Sequence, residues 1–428
     1  MASTSDQSAD EELAGAGVGG GGAIHGEAGR DGSGGGELDD GEVANGDRSG
    51  RGAADRAAAD GGSANGGAAD GWDANGGAAD GWDANGGAVD GGGAGRRAVS
   101  GEGGLGARLG EVAGAVRVRV PATSANLGPG FDVFGLALTR YDELMVIPGG
   151  DGVTVEVSGA GEGEVALDES HLVVRSIRAG LDALGASVPG FTLRCENRIP
   201  HGRGLGSSSA AIVGGIAAAY GLAGEPLDRD HVLELANEIE GHPDNVAAAA
   251  LGGFTIAWTD DGGTGRAIQL EPLAELSVVA YVPSTRVLTK QARGLLPDVV
   301  PHADAAANAG RAALLVAALT SRPSLLMTAT EDWLHQEYRQ PAMPESLALV
   351  HKLRGSGLAA VISGAGPTVL VLGGEPERAE EAPDGWHRYE LGIDPLGVQV
   401  WSADAEQLLA EGGNERSRTR VEHLEAAD

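Results

Sequence analysis

Residues 198–221 read RIPHGRGLGSSSAAIVGGIAAAYG. The glycines at 202, 204 and 206 permit positive φ angles and close approach. Ser207 to Tyr220 is apolar nearly all round, the pattern of a helix buried on every side. The serines therefore fall in a first helical turn, whose leading N–H groups lack intrahelical partners. Backbone donors, hydroxyls and the positive helix end converge there, an anion site whose natural occupant is a polyphosphate. No lysine follows the glycines, which excludes the G-x-x-x-x-G-K-[ST] loop, and G-x-S-x-G is absent too.

Outward from this loop, Val116 to Val120 alternates as a strand and is expected to stop at Pro121. Strands are expected at 144–147, 153–157, 191–196, 253–258 and 276–282, and helices at 171–184, 303–319 and 347–354. A further helix over 230–240 has Asp228 or Asp230 as its cap and is broken at Pro243. The run VISGAGPTVLVLGG then gives a glycine-rich turn and a strand. Strands and helices mix without strict alternation, so the fold class is α+β in two layers.

Composition divides the 428 residues unevenly. Residues 1–100 hold 30 of the 74 glycines and few branched apolar residues, so they are expected to be disordered. Inside them ADGWDANGGA occurs at 69–78 and again at 79–88, a period too short for a solenoid. The net charge is −32, and 18 acidic against 6 basic groups in residues 1–100 account for only part of it. An acidic surface of that size argues against nucleic acid and anionic membranes as partners. Cys195 is the single cysteine, which rules out an intrachain disulfide and fits a reducing compartment. Without an apolar leader or an 18-residue hydrophobic run, a cytoplasmic location is expected.

Other stretches carry chemistry of their own. TSANLGPGFD places Asn126 and Asp132 on a Gly/Pro-rich turn, which suits either local Asx turns or contact with a substrate. Glu234 and Glu238 lie one helical turn apart, as a solvated acidic face or as a source of a Mg²⁺ ligand. His242, Asp244 and Asn245 gather on the following loop. Thr289 and Arg293 share a face of one turn, and Arg339 lies in HQEYRQP.

Pro200 to Ala210 (PHGRGLGSSSA) resembles the ATP-binding loop of the GHMP kinases. PATSANLGPGFDVFG at 121–135 and ISGAGPT at 362–368 resemble that superfamily's other motifs, in the expected order. PATSANLGPGFD and EIEGHPDNVAAAALGGF are similar in particular to the homoserine kinases, and the likeness covers roughly residues 115–400. It implies a two-domain GHMP kinase fold, with a ribosomal protein S5 domain 2-like half at 115–270 and a ferredoxin-like half at 271–402. A disordered arm at 1–114 and a charged tail at 403–428 would flank them.

The resemblance further implies transfer of the γ-phosphoryl group of ATP to the hydroxyl of L-homoserine, on the route to threonine. Pro200, His201, Gly202, Arg203, Gly204, Leu205, Gly206, Ser207, Ser208, Ser209 and Ala210 would bind the nucleotide. Ser208 and Glu234 would hold Mg²⁺, with the choice among the serines left open and Glu238 and Glu240 left as solvated carboxylates. Asn126, Asp132, His242, Asp244, Thr289, Arg293, Arg339 and Gly364 would fix homoserine, and Asn245 and Arg293 are the expected catalytic residues. Asn245 stands where mevalonate-type relatives carry a proposed base. The alternatives are a GHMP kinase for another small alcohol and a catalytically silent binding protein. A homodimer is common among such relatives.

Overall fold

The structure, a computed structural model, describes residues 114–373 and 378–403. The expected arm and its repeats, and the charged tail beyond 403, lie outside the described residues. The chain opens with β1 (Ala115–Asn126), β2 (Gly130–Pro148), β3 (Val153–Gly159), α1 (Leu172–Ala183) and β4 (Phe191–Asn197). Three helices follow, α2 (Ser207–Ala223), α3 (Arg229–Glu240) and α4 (Pro243–Leu251), then β5 (Phe254–Thr259) and β6 (Gly265–Leu270). The rest comprises β7 (Val278–Pro283), α5 (Thr289–Arg293), α6 (His302–Thr320), α7 (Leu326–Ala329) and α8 (Pro344–Gly355). Four strands close it: β8 (Ala360–Ile362), β9 (Val369–Leu372), β10 (Trp386–Leu391) and β11 (Gln399–Ala403).

Two sheets organise these elements, which bears out the α+β class. The first runs β11-β1-β2-β4-β3, with β5 and β6 added on β2. Its helices include α2, whose residues Ile212 to Tyr220 are buried without interruption, as expected of an all-round apolar segment. Each fully buried Ile or Val there contributes about 1.5–3 kcal/mol. The second sheet, β10-β7-β9-β8, packs Tyr281 and Val369 against Leu347 and Val350 of α8 in a separate core. No helix among the described residues is long and apolar enough to cross a membrane.

Several boundaries differ from expectation for identifiable reasons. β1 does not stop at Pro121 but runs on to Asn126. The proline is tolerated because the ladder with β2 shifts register between Pro121 and Ala122, and β11 pairs only as far as Arg119. TSANLGPGFD is consequently the tip of a long β1–β2 hairpin, with Asn126 opposite Gly130. Pro243 does not break α3. Gly241, at φ +86°, ends that helix, and Pro243 begins α4 in the first-turn position that suits its missing N–H. β6 and β10 carry no clear periodic signal, and β11 returns to pair with β1. The expected second domain at 271–402 thus gives its last strand to the first sheet.

Candidate active site

The loop between β4 and α2 is shaped by its glycines. Gly202, Gly204 and Gly206 have φ of +65°, +77° and +69°. A Cβ on Gly204 would lie 2.3 Å from the Ser363 carbonyl oxygen, and one on Gly206 would lie 1.9 Å from Thr123 Oγ1. The bare backbone therefore runs between the hairpin tip and the turn at 363–367. Thr123 N–H donates to the Leu205 carbonyl at 3.1 Å, and Ser363 Oγ donates to the Gly204 carbonyl. No side chain caps α2, so its first N–H groups stay available beside Ser207, Ser208 and Ser209. The side chain of Arg203 turns away, donating to the carbonyls of His201, Pro283 and Ser284, and His201 packs over Gly161. These two side chains brace the loop, and its backbone forms the cradle.

The serines meet a carboxylate, but not the expected one. Ser208 Oγ donates to Glu240 Oε2 at 2.8 Å and Ser209 Oγ to Glu240 Oε1 at 3.1 Å. Glu234, expected beside Ser208, instead pairs with Arg266 on β6. Six positions separate the two glutamates, one and two-thirds helical turns, so they face different ways. Glu240 closes α3, where the helix dipole disfavours an anion, yet it faces the electropositive start of α2.

The hairpin tip holds three non-glycine residues at positive φ: Asn126 (+70°), Leu127 (+50°) and Asp132 (+56°). Asn126 is buried and engaged at both ends, accepting from Asp132 N–H at 2.9 Å and donating to the Gly364 carbonyl at 2.8 Å. Asp132 and Arg293 form a two-bonded ion pair at 2.7 and 2.9 Å. Burial works against the Arg293 charge, but the bonds and charge of Asp132 outweigh it and raise its pKa. Arg339 is 1% exposed; its Nη1 donates to the Gly364 carbonyl and to His335 Nδ1, both at 3.1 Å. Its Nε is buried without a partner. Burial and the nearby charge of Arg293 push its pKa down to about 10. Both guanidiniums lie over the Phe131 ring, Arg293 at 5.8 Å and Arg339 at 5.5 Å from its centre. Thr289, four positions before Arg293 on α5, is exposed.

His242, Asp244 and Asn245 do not lie on a loop but form the start of α4, with His242 as its N-cap. Asp244 Oδ1 accepts from His242 Nδ1 at 2.9 Å and from Asn245 N–H at 2.7 Å. Burial opposes charge on both groups. Their mutual hydrogen bond and attraction prevail, raising the His242 pKa and lowering that of Asp244. Asn245 Oδ1 accepts from Thr123 Oγ1 at 2.8 Å, and the Cβ position of Gly206 lies 3.3 Å from the same oxygen. The glycine loop and the polar cluster thus share a wall. Thr123, Ser363, Phe131 and His335 escaped the sequence reading, which left Glu240 as a solvated carboxylate. Only His335 carried a signal, lying one helical turn before Arg339.

A glycine cradle at a helix start, walled by a hairpin tip and a second glycine turn, defines the GHMP class of small-molecule kinases. The profile for the GHMP kinases N terminal domain matches residues 171–253, and that for the GHMP kinases C terminal domain matches 306–390. The homoserine kinase of Streptomyces avermitilis is 58% identical over 294 residues, covering 67% of this chain and 96% of that protein. That of Clavibacter michiganensis is 52% identical over 303 residues, covering 68% and 95%. The crystal structure of homoserine kinase from Cytophaga hutchinsonii superposes with a TM-score of 0.61 at 28% identity, covering 67% and 97%. The chain belongs to the homoserine kinase family.

Proposed function

We propose that this chain transfers the γ-phosphoryl group of ATP to the side-chain hydroxyl of L-homoserine, giving O-phospho-L-homoserine for threonine synthesis. The observation that carries the substrate reading is the Asp132–Arg293 ion pair with Arg339 beside it. An amino alcohol that is also an amino acid brings an ammonium suited to Asp132 and a carboxylate suited to the arginines. Mevalonate and sugars have no ammonium to offer. Asn126 and Gly364 keep the pocket's shape, the His242–Asp244 pair lines it, and Thr289 stands one turn before Arg293 on α5. ATP and the buried thiol of Cys195 suit a cytoplasmic setting.

The triphosphate lies on the backbone N–H groups of the loop and the start of α2. One carboxylate flanked by two hydroxyls fits Mg²⁺, which takes few protein ligands and fills its shell with phosphate oxygens and water. Ser208 and Glu240 would hold it, and when bound it supplies charge neutralisation across the phosphates. Phosphoryl transfer depends mainly on positioning and charge compensation. Arg293 and Arg339 orient the amino acid, and Asn245 steers the hydroxyl toward the phosphate. An amide cannot act as a base, so the proton leaves through phosphate or water. An ADP-release assay across homoserine, mevalonate, shikimate and galactose tests the reading, with turnover expected on homoserine alone. The pH–rate profile should lack a carboxylate-base limb near neutrality; finding one would remove Asn245 from this role.

A further inference from the structure

His335 belongs to neither the phosphate cradle nor the ion pair, yet it is fully buried and touches both arms of the pocket. Its Nε2 lies 2.7 Å from the Gly128 carbonyl oxygen, at the hairpin tip between Asn126 and Asp132. A carbonyl only accepts, so Nε2 carries the proton and Nδ1 presents its lone pair. That lone pair receives Arg339 Nη1 at 3.1 Å. Its ring stacks on Phe131 at 5.2 Å, the same ring that both guanidiniums approach. Burial and the Arg339 charge keep the imidazole neutral despite Asp332 nearby, so the acceptor at Nδ1 persists. With Nη1 committed to His335 and Gly364, the guanidinium has one rotation, and its Nε edge is left without a protein acceptor.

We propose that His335 is a positioning residue that fixes the Arg339 guanidinium for the substrate carboxylate and ties it to the Gly128 carbonyl of the hairpin tip. This inference rests on the reading of Arg339 as a carboxylate partner. Two substitutions separate the two arms. In His335→Asn the amide oxygen stands near the position of Nδ1 and can still accept from Arg339. In His335→Gln the amide reaches toward the position of Nε2, keeping a donor for Gly128 and abandoning Arg339.

The readout is the preference, in kcat/KM, for L-homoserine over 3-aminopropan-1-ol, which is the same molecule without its carboxylate. His335→Gln should lower that preference about tenfold, the worth of one hydrogen bond to a charged group, and His335→Asn should recover most of it. The KM for ATP should stay within about twofold in both, because the phosphate cradle does not touch His335. In the double variant His335→Gln/Arg339→Lys the two losses should not add. If Arg339→Lys collapses the preference while both His335 variants keep it, or if both lose it equally, the positioning role is wrong. If Arg339→Lys itself leaves the preference intact, the error lies in the reading of Arg339, and the inference falls with it.

Discussion

At the scale of single residues, the choice between Glu234 and Glu240 is the sharpest test of the phosphate end. Glu240 receives two serine hydroxyls at the start of α2, whereas Glu234 pairs with Arg266 on the flank. Glu240→Gln should therefore cut turnover about 100-fold or more at saturating Mg²⁺, the scale of losing one preorganised charge contact. Glu234→Gln should leave it within about twofold, as surface substitutions do. Steady-state kinetics on both variants decides, and equal losses would reopen the assignment. Motif likeness led to Asn126, Asp132, Arg293 and Arg339, because short spacings along a turn or helix are local facts. It pointed to Glu234, which the structure does not bring to the serines, because counting back from His242 passes through the break at Gly241, where residue number stops reporting direction. Thr123 and Ser363 were out of reach for a different reason. Each matters through a contact with the phosphate loop or its neighbours, far along the chain.

Among elements, the loop into α2 governs the site, and its glycines are not equivalent. Gly202 and Gly206 both hold left-handed φ, so alanine at either is strained by about 1–2 kcal/mol. A methyl on Gly202 would find its nearest neighbour at 3.6 Å, whereas on Gly206 it would meet Thr123 Oγ1 at 1.9 Å. Thr123 also anchors Asn245, so relieving that clash displaces the side chain proposed to steer the hydroxyl. Gly206→Ala should lower kcat about 100-fold, as misplacements near 1 Å do, and Gly202→Ala far less. Comparable effects from the two would show that backbone strain alone controls the loop. The buried α2 was legible in the sequence because its apolar character is continuous. α4 was not, because a proline that breaks one helix and a proline that starts the next look alike until Gly241 is seen to end α3 first.

For the molecule as a whole, Asp142 links stability to pH. It sits on β2, 5% exposed, and accepts the N–H groups of Arg198 and Ile199 where the phosphate loop begins. Burial raises its pKa from 3.8 to about 6, partly offset by those two bonds. A native pKa above the unfolded value means the fold holds the proton more tightly. The associated stability is complete below pH 3.8 and declines as pH rises through about 6, by about 3 kcal/mol in all. Asp142→Asn should remove that slope, so the difference between urea unfolding curves of variant and parent should vary across pH 4–6. A constant difference would refute the assignment. The sequence disclosed two layers of mixed strands and helices, since each element carries its own local pattern. It could not disclose that β11 crosses back, because strand pairing over such a distance leaves no local trace. That return has a consequence during synthesis. Arg119 on β1 and its partner Gln399 on β11 are 280 residues apart. At ~5–20 residues per second the ribosome needs roughly 14 to 56 s to deliver the missing strand. Until then the outer rim of β1 is a bare ladder open to any other nascent chain. A message truncated just before β11 would leave that rim uncovered for good, making a product prone to aggregate although every residue of the phosphate cradle is present.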